Sequence, residues 1–340
     1  MRGLRILYLH QHFSTPEGAT GTRSFALARA LAARGHAVTL ACGQYAGAAT
    51  GLSGPFRRGR REGRVGPVRV VEFAISCGNA QGLAARGAAF LRYAARATRL
   101  ALTGPWDVAV ASSTPLTVAL PALAARRLLG LPFVFEIRDP WPELPRAMGI
   151  GSPPLWAAMD RLADAACRRA AAVVALSEGM AETAVAHGAD PAAVHVVPNG
   201  ADLDLFGPQV APWRPAEAAS HEALAVYAGT HGRANGLDQL LDAAAWLRAR
   251  RVPLRLLLVG EGGEKPRLFA RAAAEGLDNV TFLDPLPKPR LAGLLAGSQI
   301  GVQCLAPVPE FAEWTAPNKL MDYLAAGLPV GANLPARAAR

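Results

Sequence analysis

Lysine is nearly absent from this 340-residue chain: of 36 Lys plus Arg, only Lys265, Lys288 and Lys319 are lysine. Cysteine is scarce too. Cys42, Cys77, Cys167 and Cys304 are widely spaced with no Cys-x-x-Cys pair, which argues against a disulfide framework and predicts reduced thiols in a cytosol. No secretory leader is evident. Aromatic residues make up 6% of the chain and do not alternate with the basic segments, so no nucleic-acid partner is expected. The long uncharged run Val108–Ala125 is broken by Ser112, Ser113, Thr114, Pro115 and Pro121, and reads as strand, turn and helix rather than a membrane span. Neither a P-loop nor a full G-x-G-x-x-G after the first strand is present, which argues against the commonest nucleotide fingerprints. His10 and His12 lack a third ligand nearby in the sequence, so a plain loop is favoured over a metal site.

What is present is positive charge, net +10, which favours phosphate esters or an acidic membrane surface. Short apolar runs alternate with helical periodicity: strands at Arg5–Leu9, Ala37–Cys42, Val68–Phe73, Asp107–Ala111, Phe133–Ile137, Val173–Leu176 and Val194–Val197, with helices between. Parallel sheets with helical crossovers read this way. Residues 199–222, rich in Pro, Gly and polar side chains, read as an interdomain linker. The alternation restarts at Leu224–Ala228 and continues through Leu254–Gly260, Val280–Leu283 and Ile300–Leu305. The expectation is α/β: two Rossmann-like domains facing each other across a cleft, residues 1–198 and 223–340, with ligands beyond the carboxyl ends of the strands.

The strand ends hold the candidate site. After the first strand, Gly18 and Gly21 would let backbone amides approach a ligand. After Phe133–Ile137 a Pro-stiffened loop gathers Glu136, Arg138, Asp139 and Glu143. In the second domain Gly229, Gly232, Arg233 and Gly236 follow a strand, an arrangement suited to a diphosphate. In "APNKLMDYLAAGLPV", Ala316–Val330, Thr315 or Ala316 would cap a helix with Pro317 in its first turn. Lys319, Asp322 and Tyr323 would share one face, and Leu320 and Leu324 would point inward. Lys319 near the positive end of that helix dipole calls for an anion; a diphosphate would meet it and Asp322 would accept two ribose hydroxyls. Asp202-Leu203-Asp204 spells a metal-binding pattern, but it lies in the linker and is read as punctuation.

At these residues the chain resembles the retaining glycosyltransferases of family 4, of the GT-B fold, and among them bacterial fucosamine and N-acetylhexosamine transferases of surface polysaccharide synthesis. The stretches "HQHFSTPEGATGTRSFALARALAARGHAVTL", "FEIRDPWPELP", "LSEGM", "VVPNGADLDLF", "AGTHGRANGLDQLLDAAAWL", "LLLVGEGGEK" and "APNKLMDYLAAGLPV" carry the resemblance in order along the chain. It implies an acceptor-binding first domain and a second domain that binds a nucleotide sugar, a uridine diphosphate N-acetylhexosamine or deoxy-amino sugar, with no metal required. Catalytic residues would be Arg138 and Asp139, standing where the family often has a His-Asp pair. Gly18, Gly232, Arg233, Asn235, Glu261, Pro317, Asn318, Lys319 and Asp322 would bind the donor. The acceptor would be a lipid-linked glycan at the anionic inner membrane of the cytoplasm, met by the basic run Arg57–Arg64 and the helix Gly87–Leu102. Trp314 and Asp322 stand where the family pairs two glutamates, and Asn235 where it often has lysine. The ending at Arg340 is read as an incomplete second domain. A nucleotide-sugar epimerase and a non-catalytic nucleotide-binding protein are the alternatives, the former distinguished by turning over donor without acceptor.

Overall fold

A computed structural model describes residues 3–79 and 81–333; the end of the second expected domain, 334–340, lies outside them. The chain forms two compact units. The first runs to Pro198 and takes in Glu313–Ala316; the second holds Asn199–Ala312 and resumes at Pro317.

The first unit is built from β1 (Arg5–Leu9), α1 (Arg23–Ala33), β2 (Ala37–Tyr45), β3 (Arg60–Val65), β4 (Val68–Cys77), α2 (Leu83–Thr103), β5 (Val108–Ser112), α3 (Ala119–Leu129), β6 (Phe133–Ile137), α4 (Glu143–Ala147), α5 (Pro153–Arg169), β7 (Ala172–Ala175), α6 (Glu178–Ala186) and β8 (Val194–Val196). Its sheet runs β3-β4-β2-β1-β5-β6-β7-β8. Every pairing is parallel except β3 with β4. Leu7, Leu9, Ala109, Phe133 and Phe135 are buried because parallel strands between helical layers must be apolar on both faces.

The edge strand β3 overlaps the basic run Arg57–Arg64. Its Arg and Glu side chains leave no apolar period to read, yet charge on an edge discourages pairing with another chain. Helix α6 opens with Ser177, whose Oγ accepts from the Met180 amide, a side-chain cap at a residue preceding an alanine-rich stretch.

The second unit holds β9 (Ala223–Ala228), α7 (Asp238–Ala249), β10 (Leu254–Val259), α8 (Lys265–Ala274), β11 (Val280–Leu283), α9 (Lys288–Ala296), β12 (Ile300–Gln303), the start of α10 (Phe311–Trp314), whose last two residues fall in the first unit, α11 (Asn318–Ala325) and β13 (Val330–Ala332). The sheet order is β11-β10-β9-β12-β13, all parallel. Residues 199–222 carry no helix or strand, but they are not the loose linker their composition predicts. Phe206 is buried in the core with Leu224 and Val226, and Trp213 packs against that cluster. The Asp202-Leu203-Asp204 segment is a local turn in which the Asp204 amide donates to the Asp202 carboxylate.

Candidate functional site

In the first unit, polar side chains converge beyond β1, β5 and β6. Glu136, at the end of β6, is buried. It accepts from Tyr8 Oη at 3.1 Å and from Arg23 Nε at 2.9 Å, and Ser112 Oγ also donates to it. Burial disfavours its charge, but Arg138 and Arg23 outweigh that and hold its pKa below the ordinary carboxylate value. Arg138 Nη1 lies 2.8 Å from His10 Nε2, and His10 Nδ1 lies 2.7 Å from Ser24 Oγ. A guanidinium can only donate, so His10 accepts at Nε2 and donates from Nδ1. Burial and Arg138 keep it neutral. Asp139 accepts from Thr114 Oγ1 at 2.7 Å, and burial raises its pKa against the opposing pull of Thr114 and Arg138.

Two members of the expected first-unit site take other roles. Gly18 was expected to admit a ligand, but a Cβ there would stand 2.2 Å from Ser14 Oγ and 2.6 Å from the Ala49 amide nitrogen. Its missing side chain is filled by protein, and its amide donates to the Thr15 carbonyl. Glu143 leaves the Arg138-Asp139 group altogether. Its Oε1 is 2.7 Å from His187 Nε2, and His187 Nδ1 is 2.7 Å from Asp164. Those two carboxylates, Glu143 foremost, raise His187 to a pKa of about 8 despite its burial. Glu143, Asp160 and His187 are the one group among the described residues whose ligand-type atoms converge as a metal site would require.

In the second unit, the three lysines divide. Lys265 pairs with Glu261 at 2.6 Å and Asp284 at 2.9 Å. Lys288 pairs with Asp322 and lies over the Phe206 ring. Lys319 has no carboxylate or hydrogen-bond partner among the described residues; its Nζ sits 4.0 Å from the centroid of the Tyr227 ring. Desolvation lowers its pKa to about 7, with Cys304 opposing. The residue as a whole is half-buried, and its ammonium is poorly solvated.

Lys319 is placed there by packing. Tyr323 is fully buried and accepts at Oη from the Ala228 amide at 2.9 Å, tying α11 to β9. A side chain at Gly301 would collide with the Tyr323 ring at 2.5 Å, so that position must stay bare. A Cβ on Gly229 would stand 3.0 Å from Lys319 Nζ, which makes this glycine the floor under the ammonium. The loop that follows is braced by Tyr227 Oη and Asn235 Nδ2, both donating to the Thr230 carbonyl. Gly260 and Gly262 press against the backbone of Gly229 and His231. His231 is buried with both ring nitrogens unpartnered, and burial lowers its pKa to about 4, so it stays neutral. Gly232 leads into the turn Arg233–Asn235, where Arg233 is exposed with no ion pair among the described residues.

Helix α11 corrects the sequence reading in three ways. It begins at Asn318 with Pro317 as its N-cap, one or two residues later than expected. Leu324 is 57% exposed, and the inward face is Leu320, Asp322 and Tyr323. Asp322, 6% exposed, meets Lys288 from α9, a partner that the spacing on its own helix did not give it. Burial raises its pKa and Lys288 opposes the rise. Glu261 likewise spends its carboxylate on Lys265. Tyr227, Lys288 and His10 are the neighbours that sequence reading missed as partners, since each contact joins residues far apart in the chain.

Two parallel-sheet units with polar groups gathered at their strand ends define, as a class, an α/β protein that binds ligands beyond those ends. Residues 18–200 match the family described as the glycosyl transferase 4-like domain, and residues 222–333 match the glycosyl transferases group 1. The chain belongs to this glycosyltransferase family. Over 126 residues it is 35% identical to the D-inositol 3-phosphate glycosyltransferase of Gordonia bronchialis, a match covering 34% of this chain and 28% of that relative. The same enzyme of Kribbella flavida matches at 35% over 123 residues, 33% of this chain and 29% of that one. The chain thus matches well under two thirds of either relative. Among solved structures, sucrose-phosphate synthase from Thermosynechococcus elongatus is similar with a TM-score of 0.69 at 17% identity, covering 96% of this chain and 81% of that chain. Anabaena HepE, solved with UDP and glucose, is similar with a TM-score of 0.63 at 19% identity, covering 99% and 82%. The fold is of the two-unit GT-B type.

Proposed function

We propose that the chain is a retaining glycosyltransferase that moves a sugar from a uridine diphosphate donor, an N-acetylhexosamine or deoxy-amino sugar, to a lipid-linked glycan of surface polysaccharide. The observation that carries this reading is Lys319: a poorly solvated ammonium without a carboxylate, at the first turn of α11 and over Gly229. An unpaired charge in such surroundings is costly unless an anion completes it. The amides of Asn318 and Lys319, the Lys319 ammonium and the Arg233 guanidinium supply what a diphosphate needs. Gly232 and Asn235 shape the turn that presents Arg233. Asp322 supports the site from behind through Lys288, and Glu261 does so through Lys265.

In transfer, the bond from the anomeric carbon to the diphosphate oxygen breaks, and a bond to the acceptor oxygen forms on the same face of the sugar. The cationic groups stabilise charge on the leaving diphosphate, a preorganised electrostatic effect. A phosphate oxygen takes the acceptor proton. Arg138, locked by His10, and Asp139, held by Thr114, orient the transferred sugar and its acceptor. An anionic inner-membrane surface as acceptor partner is supported by α2, whose exposed Leu83 and Leu91 lie on the same helix as exposed Arg92. The uridine diphosphate part of this reading is supported by the similarity to HepE, which was solved with UDP and glucose.

Transfer from UDP-N-acetylglucosamine, and from UDP-glucose as a second donor, tests it. Arg233→Ala and Lys319→Ala are each expected to lower turnover by two orders of magnitude or more. Wild-type turnover in both variants would remove the diphosphate assignment.

A further inference from the structure

At the edge of the first unit's sheet lies a second concentration of charge, within the basic run Arg57–Arg64 and the helix α2 that are expected to meet an anionic acceptor surface. The loop before β3, the start of β3 and the C-terminal half of α2 enclose a depression of about 600 Å³. Six arginines line it: Arg57, Arg58, Arg60, Arg61, Arg96 and Arg99. That volume falls within the range of small-molecule sites.

The carboxylates nearby are already committed. Glu62, the acidic residue of the wall, pairs with Arg69 at 3.0 Å. Glu72 is buried, holds Arg61 by two hydrogen bonds of 2.8 and 3.0 Å, and also accepts from Thr50. Arg61 is further fixed over the Phe56 ring. Arg57, Arg58, Arg60, Arg96 and Arg99 have no carboxylate partner among the described residues. Arg96 instead donates to the Arg58 carbonyl at 3.1 Å.

The backbone holds these groups together. Arg57 and Arg60 exchange backbone hydrogen bonds across a tight turn, with Arg58 at φ 51° and Gly59 at φ 77°. A positive φ is uncommon for arginine, and both central residues at positive φ match the hairpin turn that twists with its strands. A Cβ on Gly59 would come within 3.0 Å of the Arg96 guanidinium, so this glycine lets the turn close onto α2. Charges on an edge strand alone would serve to block aggregation. That purpose does not require them to be drawn into a concavity with guanidiniums from a helix, where they repel one another.

We infer that this depression binds a ligand through phosphate groups, two or more of them, clamped by guanidinium forks. A diphosphate headgroup in a membrane and a soluble phosphorylated sugar share this chemistry. The site lies in the first unit; the inference deepens the acceptor side of the proposed function and does not rest on the donor reading.

The test uses full-length protein carrying Arg233→Ala and Lys319→Ala, so that phosphate binding in the second unit does not contribute. One set adds Arg58→Ser, Arg60→Ser and Arg99→Ser; a control set removes equal charge elsewhere through Arg127→Ser, Arg161→Ser and Arg169→Ser. Inorganic pyrophosphate is titrated by calorimetry, and sedimentation is measured with vesicles of phosphatidylcholine with and without phosphatidylglycerol. Pyrophosphate binding that weakens at least tenfold in the pocket set and not in the control set supports the site. Binding to acidic vesicles with the same dependence assigns a lipid headgroup as source, and pyrophosphate binding without vesicle binding assigns a soluble ligand. Equal losses in both sets, or no binding of either probe, overturns the inference. Arg99→Ser alone, on the solvent side of α2, is the companion variant should the triple fail to fold; a loss of pyrophosphate affinity is required there too.

Discussion

Lys319 sits where its charge is least welcome in the free protein. Its folded pKa of about 7 lies below the ordinary lysine value, so the folded state disfavours the ammonium. This penalty is greatest at and below pH 7 and fades as pH rises toward the unfolded value near 10.5. Lys319→Met, which keeps the stem over Tyr227 and removes the charge, is therefore expected to stabilise the nucleotide-free protein by about 1 kcal/mol or more at pH 7 while abolishing nucleotide binding. Denaturant melts with and without UDP check both halves; a less stable, fully binding variant would contradict the account. His187 behaves in the opposite sense. Its pKa of about 8 is raised by Glu143 and then Asp164, so its contribution is complete below about pH 6.5 and is lost as pH rises through about 8. The size is about 2 kcal/mol. His187→Gln should flatten the stability profile of the first unit between those pH values, and an unchanged slope would show that the Glu143-His187-Asp164 contact does not hold in solution.

Among the elements, legibility followed apolar pattern. Strands such as β6 and β10 announce themselves because Phe133, Phe135, Leu257 and Leu258 must all be buried. β3 was hidden, since "RREGRV" offers only charge and its pairing is set by β4. On α11 the spacing of Leu320 and Leu324 pointed to the wrong face. The inward face instead carries Asp322, which Lys288 partners, and Leu324 lies outside. No local pattern carries a partner thirty-four residues away. The same holds for His10, which a loop reading could not connect to Arg138. Gly18 was legible as a required glycine, but the reason lay in Ser14 and Ala49. Gly18→Ala is expected to cost about 1–3 kcal/mol by overpacking, and removing the Ser14 hydroxyl as well should not restore it because the Ala49 amide remains 2.6 Å away. Thermal melts of Gly18→Ala and of the double variant decide this; wild-type stability in either would return Gly18 to the role of ligand contact.

For the whole molecule, strand and helix alternation made the α/β class readable, and the restart of that alternation after residue 222 marked a second sheet. Composition alone misjudged the stretch before it, because Phe206 and Trp213 bring an otherwise polar segment into the second unit's core. The scarcity of lysine also acquires a physical sense at this scale. Two of the three are neutralised by carboxylates, while the third is held apart by Tyr227 and Gly229. The most direct measurement is UDP binding by calorimetry at pH 8 in buffers of different ionisation enthalpy. A diphosphate that completes Lys319 must raise its pKa, so binding should take up a large fraction of a proton, affinity should weaken as pH rises above 7, and Lys319→Ala should abolish the uptake. UDP binding without proton uptake, or with uptake unaltered in Lys319→Ala, would contradict the account.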